Sequence, residues 1–433
     1  MHGKSNYETH RKTFPMKSLL VNSFDLHGGA AIATYRLHHA LRTVNVESNL
    51  FVQRKYSSDE TVIASKSAAS TLVSQLSSKF DSLPLKRYPA RTGQLFSPAI
   101  TPDRLIRRVK ELDPDIVHLF WITAGFIKIE SLAKLNKPVV WTLHDMWPFT
   151  GGCHYDNYCN RYTKSCGKCP LLGSSKDYDL SAKVLQRKQA AWNDLDITIV
   201  ATSRWLADCA QKSTLFQNKR IEIIANAFDI EKYHPIDKPA ARNAFNFPQH
   251  KKLVLFSAFN ATNDKRKGYQ HLLPALKNMN EHDKADIELI ILGANKPAKT
   301  FDFGMEVHYI EHLQDEISQV LLYSAVDVLV LPSEQENLSN TVIEAMLCAT
   351  PVVAFEIGGM PDIIEHNVNG YLAKPFEPVD LAEGILRVLN ALDSSGMALS
   401  ARCIAVEKYN REKIANEYLN LYQDIKNDKN NTY

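Results

Sequence analysis

Two glutamates stand close together in the segment PSEQENLSNTVIEA, which spans residues 332–345. Seven residues separate Glu336 from Glu344, and the stretch between them is rich in asparagine. Carboxylates accept hydrogen bonds from paired hydroxyl groups, and the first N–H groups of a helix attract anions. Ser339 or Asn340 can cap a helix that begins here, and the exposed N–H groups at its start would face an anion such as phosphate. The two carboxylates would then flank the phosphate, one placed for a sugar and the other for a ribose. The alternative is that Glu344 is an ordinary exposed helix residue.

Cations and glycines at two other places fit the same ligand. Arg266 and Lys267 stand in RKG just before a helical pattern, where lysine offers a compact charge to phosphate and arginine can hold two oxygens. Gly28 and Gly29 lie between a short apolar run and a helical pattern, where glycine lets the backbone come close to an anion. Each feature also has a purely structural explanation: a solvated basic loop for the first and a tight turn for the second.

Two series of alternating strands and helices are available to position these residues. The strands predicted for the first series are SLLVNSF, NLFVQ, DIVHLF, KPVVWTLH, ITIVATS and IEIIANAF, and those for the second are KLVLFSA, IELIILG, EVHYIE, VDVLVLP and TPVVAFE. Strands that alternate with helical patterns predict an α/β fold with parallel sheets, which bind ligands at the carboxyl ends of their strands. The chain therefore divides into a tail, 1–16, two Rossmann-like domains, 17–228 and 229–405, and a C-terminal helix, 406–433, expected to cross back to the first domain.

Composition excludes several classes of function. The 433 residues are 45% hydrophobic and carry a formal charge of +3, which gives no support for binding nucleic acid. No apolar run reaches the roughly 18–20 residues of a membrane-spanning helix, and the polar N-terminus lacks the apolar core of a signal peptide. A cytoplasmic protein is predicted.

Four of the seven cysteines crowd into one loop, 151–172. They are Cys153, Cys159, Cys166 and Cys169, in the pattern C-x5-C-x6-C-x2-C. Four close thiols in a reducing compartment predict a tetrahedral structural zinc site, since four thiolates leave no open position for substrate. The alternative is that they are buried or free thiols. The loop directly follows His144 and is expected to shape the acceptor side.

The residues from 332 onward resemble a known family. PSEQENLSNTVIEAMLCATPVVAFEIGGMPDIIEHNVNGYL is similar to the signature of retaining glycosyltransferases of family four, with the GT-B fold. The RKG loop, IANAFDIEKYHP and the N-terminal Gly-Gly-Ala loop match in order and spacing. TLHDMWPFTGGCHY and the cysteines after it resemble the exopolysaccharide and colanic-acid branch.

The resemblance implies two facing Rossmann-like domains, the first for the acceptor and the second for a nucleotide sugar. Glu344 would hold the ribose and Glu336 the transferred sugar, while His144 would lie near the reacting carbon. The donor-binding residues implied are Gly28, Gly29, Arg266, Lys267, Glu336, Asn337, Leu338, Ser339 and Glu344, and the catalytic ones are His144, Lys267 and Glu336. One departure is that Phe259 and Asn260 stand where many relatives carry Gly-Arg, so Arg266 is the replacement cation.

The predicted reaction is retaining transfer from a nucleotide-diphosphate sugar to a glycan or lipid-linked glycan, without a catalytic cofactor. Residues 79–91 mix basic and apolar side chains and predict a peripheral membrane contact; the alternative is a solvated loop. Other functions left open are a sugar-nucleotide epimerase, a dinucleotide-dependent oxidoreductase, which lacks its fingerprint, and a non-catalytic partner protein.

Overall fold

The structure is a computed structural model that describes residues 15–64, 76–257, 264–295, 302–313, 315–391 and 396–431. Residues 1–14 of the predicted tail lie outside these described residues, and so do Phe259 and Asn260.

The first domain is built on a fully parallel sheet. Its elements are β1 (Met16–Phe24), α1 (Gly29–Thr43), β2 (Val46–Arg54), β3 (Val62–Ile63), α2 (Leu105–Leu112), β4 (Ile116–Leu119), β5 (Val139–Leu143), α3 (Leu180–Trp192), β6 (Ile197–Ala201), α4 (Arg204–Lys212) and β7 (Arg220–Ile223). The seven strands follow the order β3-β2-β1-β4-β5-β6-β7. Their apolar runs are continuous because helices or loops cover both faces of the sheet.

The second domain repeats this plan with six parallel strands. Its elements are α5 (Lys238–Ala244), β8 (Lys252–Ser257), α6 (Tyr269–Lys277), α7 (Glu281–Ala285), β9 (Ile287–Leu292), β10 (Val307–Ile310), α8 (Glu316–Ala325), β11 (Val328–Leu331), α9 (Asn340–Leu347), β12 (Val352–Phe355), α10 (Met360–Ile363), β13 (Gly370–Ala373), α11 (Pro378–Ala391) and α12 (Met397–Tyr409). The strand order is β10-β9-β8-β11-β12-β13.

Both sheets reverse their winding direction once, which creates a crevice at the carboxyl ends of two strands. In the first domain the reversal lies between β1 and β4, and in the second between β8 and β11. Ligands of open α/β sheets bind in such crevices. The segments that follow these strands carry most of the residues singled out in the sequence.

The last helix, α13 (Arg411–Asn431), packs on the first domain although it follows the second in sequence. Tyr418 and Tyr422 are buried beside Leu37 of α1. The Tyr422 hydroxyl lies 2.6 Å from Nδ1 of His118, and the Tyr418 hydroxyl lies 2.9 Å from the Thr142 hydroxyl. The helix thus ties the two domains together through the core of the first.

The α/β prediction is confirmed, and each of the eleven predicted strands is present. Two strands escaped prediction, β3 and β13. β3 is only 2 residues long, and β13 contains Gly370, a residue that is depleted in strands. Within the described residues no helix has the length and apolar character needed to cross a membrane.

Candidate active site between the two domains

A cleft of about 710 Å³ lies between the carboxyl ends of the two sheets. Its lining combines both domains: Asn22, Phe24, His27, Gly28, Gly29, Ala30, Ala31, Leu95, Trp121, His144, Asp145, Tyr155 and Asn226 from the first, and Ser257, Arg266, Lys267, Leu331, Glu336, Asn337, Leu338, Ser339, Asn340 and Thr341 from the second. All the predicted donor-binding and catalytic residues except Glu344 are among them.

Lys267, Arg266 and Glu336 form one charged cluster on the second-domain side. Lys267 Nζ donates to Glu336 Oε2 at 2.6 Å, and Arg266 Nη1 lies 3.4 Å from the same oxygen. A left-handed glycine fixes the turn that carries both cations, since Gly268 has φ +80° and a Cβ there would stand 1.6 Å from the carbonyl oxygen of Pro332. Only glycine lets this turn pack so closely against the strand end that leads to Glu336.

The Glu336 carboxylate is held in its ionised form. Its residue is only 7% exposed, and burial alone raises a carboxyl pKa. The positive charges of Lys267 and Arg266 outweigh that effect and lower the pKa of Glu336 below its usual value. The cluster therefore presents a buried anion with two cations, and an incoming diphosphate could take over the cations.

The first turn of α9 faces the glycine turn of the first domain. Gly28 has φ +92°, a conformation that few other residues adopt, and the carbonyl oxygen of Gly29 accepts a hydrogen bond from Asn340 Nδ2 at 3.0 Å. Ser339 stands at the N-cap position, as the sequence suggested, but its side chain makes no capping hydrogen bond. The Asn340 side chain instead joins Gly29 to Asn226.

Asn337 lines the cleft, and its side chain is bonded to the first domain. Its Nδ2 donates to the Thr202 hydroxyl at 2.8 Å and to the carbonyl oxygen of His144 at 3.2 Å, and its Oδ1 accepts from the Ser203 hydroxyl at 2.6 Å. These three bonds join the segment that follows β11 to two strand ends of the first domain. Its side chain therefore holds the cleft together.

His144 lies on the first-domain wall with a free ring nitrogen. Its ring stacks on Phe120 with centroids 6.0 Å apart, and its buried Nε2 has no hydrogen-bond partner among the described residues. Burial lowers the pKa of His144 to about 4, although Asp145 opposes the shift. The imidazole is therefore neutral near pH 7, and it can exchange one hydrogen bond with a ligand in the cleft.

Beside His144, the Asp145 carboxylate is fixed by the side chains of His154 and Trp121. Asp145 Oδ2 accepts from His154 Nδ1 at 2.6 Å and from Trp121 Nε1 at 2.8 Å, and His154 Nε2 lies 2.9 Å from the Ser97 hydroxyl. Burial raises the pKa of Asp145, but His154 and these hydrogen bonds outweigh it and keep the pKa low. Trp121 both packs against His154 and lines the cleft.

Glu344 is 6% exposed and is not among the residues that line the cleft. One carboxylate oxygen accepts from Arg36 Nη2 of α1 at 2.9 Å, and the other accepts from the Tyr323 hydroxyl at 3.2 Å. Burial raises the pKa of Glu344, and Arg36 counteracts it. The alternative of an ordinary exposed helix residue is thus wrong for this side chain.

The cysteine loop, which was expected to shape the acceptor side, contacts Arg266 and the segment that carries Glu336. Tyr155 lies under the Arg266 guanidinium, with 4.6 Å between the ring centroid and Cζ. Asp156 Oδ1 accepts from Gln335 Nε2 at 2.9 Å, and Asn157 N donates to Gln335 Oε1 at 3.1 Å. The loop therefore braces the residue that precedes Glu336.

The four loop cysteines line one small cavity of about 10 Å³, and their thiols are not joined in disulfides. Backbone N–H groups point at three of the sulfurs: those of Arg161 at Cys159, Gly151 at Cys166 and Leu172 at Cys169. As the side chains stand, no three His, Cys, Asp or Glu residues in the described part of the chain are placed to hold a metal ion. The zinc site stays a prediction.

Sequence reasoning missed Arg36, Tyr155 and Asp145. A signal existed for Arg36, because the spacing Gly29 to Arg36 is two helical turns and puts both on one face of α1. Tyr155 lies in an irregular loop, where no periodicity reports which side chains turn inward.

Comparisons with known proteins agree with this geometry. Residues 27–232 match the family described as Glycosyltransferase Family 4, and residues 250–391 match Glycosyl transferases group 1. The chain is 25% identical over 222 residues to N-acetyl-alpha-D-glucosaminyl L-malate synthase of Bacillus anthracis, a match that covers 49% of this chain and only 56% of that relative. It is 24% identical to the putative colanic acid biosynthesis glycosyl transferase WcaC of Escherichia coli K12, over 72% of this chain and 75% of the relative.

Solved structures share the two-domain architecture. Sucrose-phosphate synthase from Thermosynechococcus elongatus superposes with a TM-score of 0.67 at 18% identity, covering 95% of this chain and 99% of that one. Anabaena Alr3699/HepE in complex with UDP-glucose gives a TM-score of 0.60 at 17% identity, covering 94% and 100%. With one glycosyltransferase family matched in each domain and this fold around the cleft, the chain belongs to the glycosyltransferases of the GT-B fold, family four.

Proposed function

We propose that the protein transfers a sugar, with retention of configuration, from a nucleotide-diphosphate sugar to a glycan or lipid-linked glycan in surface polysaccharide synthesis. The observation that carries this proposal is the charged cluster of Lys267, Arg266 and Glu336. It lies at the start of α9 and faces the Gly28–Gly29 turn across the cleft.

The donor's diphosphate would take over the cations of this cluster. Lys267 Nζ now donates to Glu336, and a diphosphate beside it would supply a stronger, doubly charged partner. Backbone N–H groups at Leu338 and Ser339, at the positive end of α9, would add neutral donors. Glu336 would then be free to accept hydrogen bonds from the transferred sugar. The superposition with a protein bound to UDP-glucose supports a nucleotide sugar as the donor class.

The chemical step would be a front-face substitution. The bond from the anomeric carbon to the phosphate oxygen breaks, the acceptor oxygen bonds to that carbon from the same face, and the acceptor proton passes to the departing phosphate. Lys267 and Arg266 would stabilise the charge that develops on the leaving group, which is where electrostatic catalysis acts. The free Nε2 of His144 would hold a hydroxyl of the donor sugar and orient its anomeric carbon.

The acceptor would meet the first-domain wall. Trp121 offers a ring edge in the cleft, and its Nε1 is already bound by Asp145, so its contribution would be apolar surface rather than a hydrogen bond. The name of the Escherichia coli relative, with its reference to colanic acid, supports a polysaccharide acceptor.

A peripheral membrane contact is proposed for the surface around residues 79–91. Phe80 and Leu83 are 56% and 44% exposed beside the basic Lys86 and Arg87, which is the composition of an interfacial patch. The patch is smaller than the sequence suggested, because Leu85 is buried against Cys153 and Cys169.

Thermal melting in the presence of UDP-, GDP- and ADP-sugars tests the donor class. A donor at a hundred times its Kd should stabilise the protein by about 2.7 kcal/mol. The sugar that stabilises it is then incubated with glycan and lipid-linked acceptors, and the anomeric configuration of the product is read by NMR. An inverted product would overturn retention. Conversion of the donor into its epimer without an acceptor would instead identify an epimerase.

A further inference from the structure

Arg36 joins the first domain to the glutamate expected at the ribose. It lies on α1, and its Nη2 is 2.9 Å from Glu344 Oε1, 3.2 Å from Glu316 Oε1 and 2.6 Å from the Tyr233 hydroxyl. Glu344 lies on α9 of the second domain, and Glu316 begins α8 of the same domain. An arginine from the first domain therefore supplies the counter-charge for a buried carboxylate of the second.

The second terminal nitrogen of the Arg36 guanidinium, Nη1, differs from Nη2 in its bonding. Nη1 is buried and lacks a hydrogen bond to any described residue, while the side chain as a whole is 12% exposed. The guanidinium also lies over Phe228 and Tyr233, with centroid distances of 4.8 and 5.0 Å. A buried donor left unsatisfied costs stability, so its presence here points to a partner other than the protein itself.

The position of Arg36 along α1 tells which part of a donor it would meet. Gly29, at the start of α1, contacts Asn340 at the start of α9, and Arg36 contacts Glu344. The two helices thus run side by side, from a phosphate-facing end to the position of Glu344. A nucleotide whose diphosphate lies at the helix starts would extend its ribose toward Glu344 and Arg36.

We propose that Arg36 completes the ribose end of the donor site: Nη2 holds the Glu344 carboxylate in place, and Nη1 donates to the bound nucleotide. This inference rests on the proposed use of a nucleotide-diphosphate sugar. It makes the ribose site a shared product of both domains, because Arg36 comes from the first and Glu344 from the second.

The arrangement has a pH consequence. The charged or titratable groups around Glu344 are Arg36 from α1, Tyr233 from the interdomain segment, Glu316 and Tyr323 from α8, and Cys348 just after α9. Two groups oppose the rise in the pKa of Glu344 caused by burial: the Tyr323 hydroxyl and, with the larger effect, Arg36. Without it, a larger fraction of Glu344 is protonated at a given pH, and the ionised acceptor for ribose hydroxyls is lost as the pH falls.

The test measures Kd for UDP, GDP and ADP by titration calorimetry at pH 8 and pH 6, with the wild type, Arg36→Ala, Arg36→Lys and Arg42→Ala. Arg42 lies on the same helix but is exposed and bonds Thr61, so it is a matched control. We expect Arg36→Ala to raise the Kd for the nucleotide that binds by about tenfold at pH 8, and by more at pH 6. Arg36→Lys should recover part of the loss, because lysine keeps the charge but not the planar fork.

Equal Kd values for Arg36→Ala and the wild type at both pH values would overturn the inference while leaving the proposed function intact. If the wild type binds none of the three nucleotides, the proposed donor class fails, and the inference fails with it. Should Arg36→Ala not fold, Arg36→Gln, which is shorter and uncharged but keeps one NH2 donor group, is compared with Arg36→Lys. Weaker nucleotide binding in Arg36→Gln that is partly restored in Arg36→Lys supports a role for the positive charge of Arg36. Unchanged affinity in both variants overturns that role.

Discussion

The two walls of the cleft are built from different chemistry. On the second-domain wall Lys267, Arg266 and Glu336 form a paired, buried charge cluster. The first-domain wall carries one carboxylate, Asp145, which is already paired with His154 and Trp121. Beside it the imidazole of His144 is neutral near pH 7, and its Nε2 has no hydrogen-bond partner among the described residues. Under the proposed function, the cations of the second domain would attract the donor's diphosphate, and the neutral and aromatic groups of the first would orient a sugar by contact.

The largest effect is expected from removing a cation of the charged wall. Lys267→Ala should lower kcat/KM for transfer by at least about 10²-fold, because the charge that develops on the leaving group loses its stabiliser. Lys265→Ala is the matched control, since Lys265 is in the same turn but exposed. Steady-state kinetics with the donor found in the thermal panel measures both variants. Near wild-type turnover in Lys267→Ala would break the comparison between the walls.

A smaller effect is expected on the neutral wall. His144→Ala should lower kcat/KM by about tenfold, because one hydrogen bond to a sugar hydroxyl is lost. Because burial lowers the pKa of His144 to about 4, the imidazole stays neutral between about pH 6 and pH 8, and its titration should leave no mark on the wild-type profile there. His250→Ala, at an exposed position, is the control. A wild-type rate that changes near pH 6.5 and is flat in His144→Ala would contradict the assignment.

The cysteine loop touches both walls, so loosening it should have a modest effect. If zinc is bound, elemental analysis of protein prepared without added metal should find about one zinc per chain. Cys166→Ser with Cys169→Ser should remove the zinc, lower the melting temperature and raise KM for the donor a few-fold, because Asp156 and Asn157 brace Gln335.

Cys403→Ser, at an exposed position, is the control for zinc content and melting temperature. Metal-free protein with an unchanged melting temperature and full activity would leave the four residues as free thiols.

The smallest effect on the chemistry is expected at the proposed membrane patch, residues 79–91, none of which lines the cleft. Lys86→Glu with Arg87→Glu should release the protein from anionic vesicles at low salt and leave transfer to a short soluble acceptor unchanged, because each basic residue near such a surface contributes about 1 kcal/mol. Lys277→Glu with Lys374→Glu makes the same charge change on the second domain. Wild-type protein that does not sediment with the vesicles would end the membrane proposal.

Much of the second-domain wall could be predicted from local sequence. Strand, loop and helix follow one another over a short span there, so Lys267 and Glu336 were placed at strand ends by periodicity alone. The first-domain wall was harder. Tyr155 belongs to an irregular loop of the first domain, and its contact with Arg266 joins residues more than a hundred positions apart.

The sequence by itself determined the α/β class and both parallel sheets, because hydrophobic periodicity and glycine turns are local properties of the chain. The family resemblance, and not periodicity, singled out Lys267 and Glu336 as site residues. Only the tertiary structure decided what each side chain bonds. Asn337 proved to be an interdomain clamp, and Glu344 proved to be paired with Arg36. The physical reason is that a buried polar group must find a partner, and which partner it finds depends on how two separately folded sheets come together.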